Sequence, residues 1–213
     1  MNIDKDRPYM LAYGFFADRL EKLEEAASAG GIGIKLIGRD NLDTIVRELL
    51  LRENEELPAN SGPHTSPELD PGFILFVNIG QEALYQFLEV MKEKDLFVPY
   101  KAGLTANNIT WPLRELIAAN RQEHEYIKLY QDSKKALYFG MDLYEKTKDN
   151  LLFERLEQLL EYITSIENGQ ETLEQETSKQ DEAARFTELR KRYNALAMKI
   201  NEIVRSKGNA PDS

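Results

Sequence analysis

Phe73-Ile74-Leu75-Phe76-Val77-Asn78-Ile79 is an apolar run of strand length, and the chain contains its like earlier, at Tyr9-Met10-Leu11-Ala12-Tyr13-Gly14-Phe15. Helical spacing follows each run: Asp18-Arg19-Leu20-Glu21-Lys22-Leu23 after the first, Glu82 through Met91 after the second. A second strand comes next in both places. It is Ile34-Lys35-Leu36-Ile37 after the Gly30-Gly31-Ile32-Gly33 turn, and Val98-Pro99-Tyr100-Lys101-Ala102-Gly103-Leu104 in the later copy, with Lys35 matched to Lys101. Each series closes on a helix. The first starts near Asp40 or Asn41 and carries Arg47-Glu48-Leu49-Leu50; the second carries Arg114-Glu115-Leu116-Ile117. This order predicts an α/β domain built from duplicated βαβα units.

Two such units have few ways to combine. A β-helix-β crossover is parallel and right-handed. Joining two units at their first strands gives a parallel four-stranded sheet in the order 2-1-3-4, with helices on both faces. The near-continuous apolar strands fit burial on both sides. A ferredoxin-like βαββαβ sandwich is the alternative, and it would require one of the helical segments to be something else.

Working outward, the stretch from Glu53 to Gly72 holds Pro58, Gly62, Pro63, Pro67, Pro71 and several acids, the composition of an exposed connector. His64 falls inside it. The duplicated α/β domain is therefore expected over residues 8–125 with a connector at 53–72. Beyond it the pattern turns helical. One helix opens near Thr110 or Trp111 and runs to about Lys148, with Tyr126, Tyr130, Ser133, Leu137, Gly140 and Tyr144 in alternating steps of four and three. Asp149 or Asn150 can cap the next, which carries Leu152, Leu156, Leu159, Ile163 and Ile166 and stops at Asn168-Gly169. A last helix carries Phe186, Leu189, Tyr193, Leu196, Ile200 and Ile203. Residues 126–206 thus read as a helical hairpin or coiled-coil extension and 207–213 as a disordered tail. Each apolar stripe is too narrow to be stable alone and must pack on its fellows, on the α/β domain or on a second chain.

Composition narrows the function. The 213 residues carry 27 Lys+Arg against 37 Asp+Glu, a net charge of −10, and 42 % are apolar, enough for a proper core. Most of the acidic surplus sits in residues 1–110, where 18 Asp+Glu face 11 Lys+Arg. Nucleic-acid binding is not expected, because phosphate neutralisation needs a basic excess. There is no cysteine, which excludes disulfides, thiolate nucleophiles and Cys-ligated metals. The two histidines, His64 and His124, form no HExxH pattern and cannot complete a Ser-His-Asp set. The apolar run from Tyr9 to Phe16 is broken by Asp18 and Arg19, which fits neither a signal peptide nor a membrane span, so a cytoplasmic location is expected. The glycines at 14 and 30–33 match no phosphate-binding fingerprint and read as turn residues.

The segment Pro99-Tyr100-Lys101-Ala102-Gly103-Leu104-Thr105-Ala106-Asn107-Asn108-Ile109-Thr110-Trp111-Pro112 is the most unusual of the chain. Together with Glu123 and His124 it resembles the bacterial domain-of-unknown-function family 3783. The marker of that family is a strand ending in Lys-Ala, then Leu-Thr, an Asn, a Trp and a helix ending in Glu-His. Here those positions are Lys101, Ala102, Leu104, Thr105, Asn107 or Asn108, Trp111, Glu123 and His124. The resemblance covers roughly residues 73–125, and it implies bacterial origin but no activity.

Read physically, Lys101 on a partly buried strand, with Thr105, Asn107, Asn108, Thr110 and Trp111 at its carboxyl end before a helix N-terminus, is the arrangement that binds a carboxylate or phosphate in open α/β sheets. The structural reading is the stronger one: Thr110 as an N-cap, Pro112 in the first helical turn, Asn107 and Asn108 in a turn, and Trp111 stapling helix to sheet. His124, flanked by Glu123 and Glu125, reads as solvated on a helical surface. The acidic pairs Glu24-Glu25 and Glu55-Glu56 read as solvated or connector residues. No catalytic, metal or cofactor residue is assigned. The expectation is a non-catalytic interaction or scaffold module that self-associates or docks a protein partner through its C-terminal helices. The alternative is a small-anion or metabolite sensor using Lys101–Trp111.

Overall fold

In the computed structural model, which describes residues 7–51, 72–170 and 179–208, β1 (Tyr9–Tyr13), α1 (Ala17–Ala29), β2 (Gly33–Ile37), a 3-10 turn (Arg39–Asn41) and α2 (Val46–Leu51) form the first half. The same order recurs as β3 (Phe73–Val77), α3 (Gln81–Glu93), β4 (Tyr100–Gly103), a 3-10 turn (Asn108–Thr110) and α4 (Leu113–Thr147). Then come α5 (Asn150–Gln170) and α6 (Lys179–Gly208). The chain divides into two compact units, Met1–His124 and Glu125–Ser213. Of the connector expected at 53–72, all but Gly72 lies outside the described residues, His64 and Glu55-Glu56 included.

The sheet order is β2-β1-β3-β4, as expected, but the sheet is mixed rather than wholly parallel. β1 and β2 are parallel, as are β3 and β4, while the central pair β1–β3 is antiparallel. Each crossover helix fixes direction only within its own half. Burial of both faces follows from helices above and below, whichever way the halves meet. About 20 residues link the halves and can span on the order of 60 Å, against about 17 Å for a five-residue strand, so the connector dictates no direction either.

The antiparallel register is symmetric. Leu11 faces Leu75, Tyr9 faces Val77 and Tyr13 faces Phe73. The contacts beyond the strands repeat this reciprocity. The Val46 N–H donates to the Trp111 carbonyl at 2.9 Å, and the Leu113 N–H donates to the Thr44 carbonyl at 3.1 Å, around a bridge between Ile45 and Pro112. The helices α1 and α3 are both 13 residues long and end alike. Gly31 (φ +64°) and Asp95 (φ +52°) are left-handed, and the following N–H groups of Ile32 and Leu96 each donate back into the last turn, to Ala27 and Met91, at 2.8 Å. That is the Schellman ending, and its apolar residues Ile32 and Leu96 are both buried.

One face of the sheet packs on α1 and α3. There Met10, Ala12 and Ile74 meet Leu23, Ala26, Ala27, Phe87 and Met91. Leu23, Ala26 and Ala27 share a helix side by their three- and four-residue spacing, and the small alanines admit α3 closely. The approach is close at Gly30, where an added Cβ would lie 2.8 Å from the Ala83 carbonyl oxygen. The other face, Leu11, Phe73, Leu75 and Val77, packs on Val46, Leu49 and Leu50 of α2 and on Leu113, Leu116 and Ile117 of α4. Phe73 and Phe87 are among the largest fully buried side chains, and burying each contributes roughly 1.5–3 kcal/mol.

Two helix starts differ from the sequence expectation. Instead of a helix from Asp40 or Asn41, a 3-10 turn precedes α2, because the backbone at Val46 pairs with Trp111. For the same reciprocal reason α4 starts at Leu113, and Thr110 does not cap it; its hydroxyl donates to the Asn107 carbonyl at 3.0 Å.

In the second unit the stripes meet within one chain. Leu137 and Leu143 of α4, Leu152, Leu156, Leu159, Ile163 and Ile166 of α5, and Leu189, Leu196, Ile200 and Ile203 of α6 form one cluster. Gly140 lets the helices approach closely: a Cβ there would lie 2.8 Å from Leu156 Cδ2 and 3.4 Å from Ile200 Cδ1. Ser133 is fully buried, and its hydroxyl donates to the Leu129 carbonyl at 2.7 Å. Asp149 caps α5, accepting from the Leu152 N–H at 2.8 Å, and also pairs with Lys199 of α6 at 3.1 Å. α6 includes Lys207 and Gly208, the first two residues of the expected tail; residues 209–213 lie outside the described ones.

Candidate functional site

β4 is a short edge strand, and its alternation separates the residues that sequence grouped together. Lys101 is in register with Ile74, which faces α1 and α3, whereas Tyr100 and Ala102 pack with the cluster under α2 and α4. The Lys101 ammonium donates to the Val98 carbonyl, and half-burial holds its pKa below the ordinary lysine range by desolvation of the charged form. Its match to Lys35 does not survive. Lys35 is in register with Leu11, on the opposite face, and its ammonium donates to the Leu49 carbonyl near the end of α2 at 2.7 Å.

The turn after β4 is held by two side chains. The Thr105 N–H donates to Asn108 Oδ1 at 2.8 Å, and the Asn108 N–H donates to Thr105 Oγ1 at 3.1 Å. Asn108 Nδ2 donates to the Gly103 carbonyl at 2.9 Å. Asn108 is 8 % exposed, so both ends of a buried amide are spent on backbone it must satisfy. Asn107 and Thr110 are exposed, and Thr110 bonds back to Asn107. Thr105, Asn107, Asn108 and Thr110 therefore share one turn. Trp111 leaves that turn in extended backbone and packs on the α2 and α4 side, away from the face that Lys101 takes.

Nor does the N-terminus of α4 present free donors to an anion. The Leu113 N–H is taken by the Thr44 carbonyl and the Arg114 N–H by the Leu42 carbonyl, at 3.1 and 2.7 Å. The Arg114 side chain grips Asp43 with Nε and Nη2 at 2.7 and 3.1 Å, and this guanidinium holds the Asp43 carboxyl below its usual range. Because β1 and β3 are antiparallel, the carboxyl end of β3 lies beside the amino end of β1. The two central strands therefore share no carboxyl edge, the feature at which a wholly parallel 2-1-3-4 sheet would place a crevice.

Sequence reasoning missed the group around Tyr100. The Arg121 guanidinium lies 5.2 Å from its ring centroid, and His124 packs edge-on at 5.5 Å, so His124 is a half-buried packing residue rather than a solvated one. Asn120 Nδ2 donates to the Lys101 carbonyl at 3.1 Å. A helical spacing placing Asn120, Arg121 and His124 on one side of α4 was the available signal. Among the described residues no group of three His, Cys, Asp or Glu could hold a metal ion, and no helix is long and apolar enough to cross a membrane.

Comparison with known families reaches this half of the domain. Residues 72–127 match the domain of unknown function DUF3783. The match takes in β3, α3, β4, its buried asparagine turn and the start of α4, roughly a quarter of the chain. The DUF3783 stretch thus contains every candidate site residue and none of β1, β2 or α2. No curated protein and no solved structure matches the chain.

Proposed function

We propose that this chain is a non-catalytic interaction or scaffold module of the bacterial cytoplasm, self-associating or docking a protein partner through the outward surface of its C-terminal helices. One observation carries the reading. Tyr138 is 72 % exposed, Met141 54 %, Phe153 41 % and Leu160 51 %. The first two share a side of α4 and the last two a side of α5. The ring of Phe153 lies 5.1 Å from that of Tyr144, which sets this side of α5 beside α4. Four large apolar side chains left outward on neighbouring helices offer a partner apolar surface to bury. The coiled-coil character expected of these helices is part of the same proposal, but association would use these outward residues, because the regular stripes are consumed within the chain.

Sedimentation equilibrium of the full chain tests it. A dimer or larger species at micromolar concentration, reduced to monomer by Tyr138→Ser with Phe153→Ser, is the expected result. A strict monomer before substitution ends the self-association reading and leaves only a different protein as partner. We propose further that the two α/β halves arose by duplication. Support comes from spacing: β3 and α3 each start 64 residues after β1 and α1, and Arg114-Glu115-Leu116 follows Arg47-Glu48-Leu49 by 67. The small-anion sensor at Lys101–Trp111 has less support, because its lysine and tryptophan lie on opposite faces and the helix amides are occupied.

A further inference from the structure

We draw no further inference here: the strongest candidate, the exposed apolar side chains of Tyr138, Met141, Phe153 and Leu160 on the surface of α4 and α5, belongs to the reading already proposed, and nothing in the structure shows what covers it.

Discussion

Thr105 and Asn108 hold each other twice, each backbone N–H donating to the other's side-chain oxygen. This closed pair, with the further bond from Asn108 to Gly103, fixes how the chain leaves β4 and turns toward α4. Asn108→Ala removes one acceptor and one donor from a buried turn and strands the partners of both. We expect a loss of about 2–3 kcal/mol in urea unfolding. Thr105→Val, which breaks one bond at an exposed residue, should cost about 1 kcal/mol. Equal effects from the two substitutions would mean that the asparagine is not the keystone of the turn.

The two Schellman endings differ in one residue that matters. Gly31 tolerates its left-handed backbone without strain, but Asp95 carries a side chain at φ +52°. Asp95→Gly should stabilise the protein by about 0.5–1 kcal/mol, and Gly31→Ala should destabilise it by about 1 kcal/mol. Midpoints in guanidinium titrations give both signs directly; a destabilised Asp95→Gly refutes the assignment.

At Gly140 two effects oppose each other. Alanine improves helix propensity by up to about 1 kcal/mol, yet its methyl would sit 2.8 Å from Leu156 Cδ2 in a filled cluster. Overpacking of this kind costs about 1–3 kcal/mol, so Gly140→Ala is expected to lower stability by about 1 kcal/mol net. Leu156→Val in the same chain should recover part of that loss. Strict additivity of the two substitutions in a double-mutant cycle would show that the contact is not responsible.

Asp149 should give stability a pH dependence. Its carboxyl is held below the usual range first by the Leu152 N–H and then by Lys199. A carboxylate whose folded pKa is depressed contributes stability above its unfolded pKa, near 3.9, and that contribution fades as pH falls through the folded value. Asp149→Asn keeps a cap oxygen but removes the charge. The melting temperatures of the two proteins should therefore differ at pH 6 and converge toward pH 3. Asp43, Glu167 and Glu188, also depressed, titrate equally in both proteins and cancel. A constant difference across that range would contradict the prediction.

Much of this architecture is legible in the residues. The alternation of Phe73–Ile79 with the helical spacing after it yields the strand order, and Leu152 to Ile166 predicts the buried side of α5 without error. Strand direction at the centre is not legible, because nothing local to Leu11 or Leu75 distinguishes a parallel neighbour from an antiparallel one. The lysine match failed by a single position: Phe97, Val98 and Pro99 lengthen the second half, so Ala102 rather than Lys101 stands where Lys35 does. With a side-chain period of two, one residue of slip exchanges the faces of the sheet. The segment after β4 is legible as a turn from Asn107 and Asn108, but the contacts of Leu42, Asp43 and Thr44 that occupy the start of α4 come from the other half, and no local pattern encodes them.

The carbonyls of Leu42 and Thr44 receive the first amides of α4, and Trp111 returns the bond to Val46. A segment limited to the DUF3783 stretch would therefore begin its long helix with bare donors and expose β3 along its whole edge. Residues 8–51 are no appendage to that stretch but the other half of its folding unit. Both halves contribute to each of the two cores of the α/β part, and the ladder that joins them at Leu11 and Leu75 spans 64 positions of sequence. Such non-local closure slows folding.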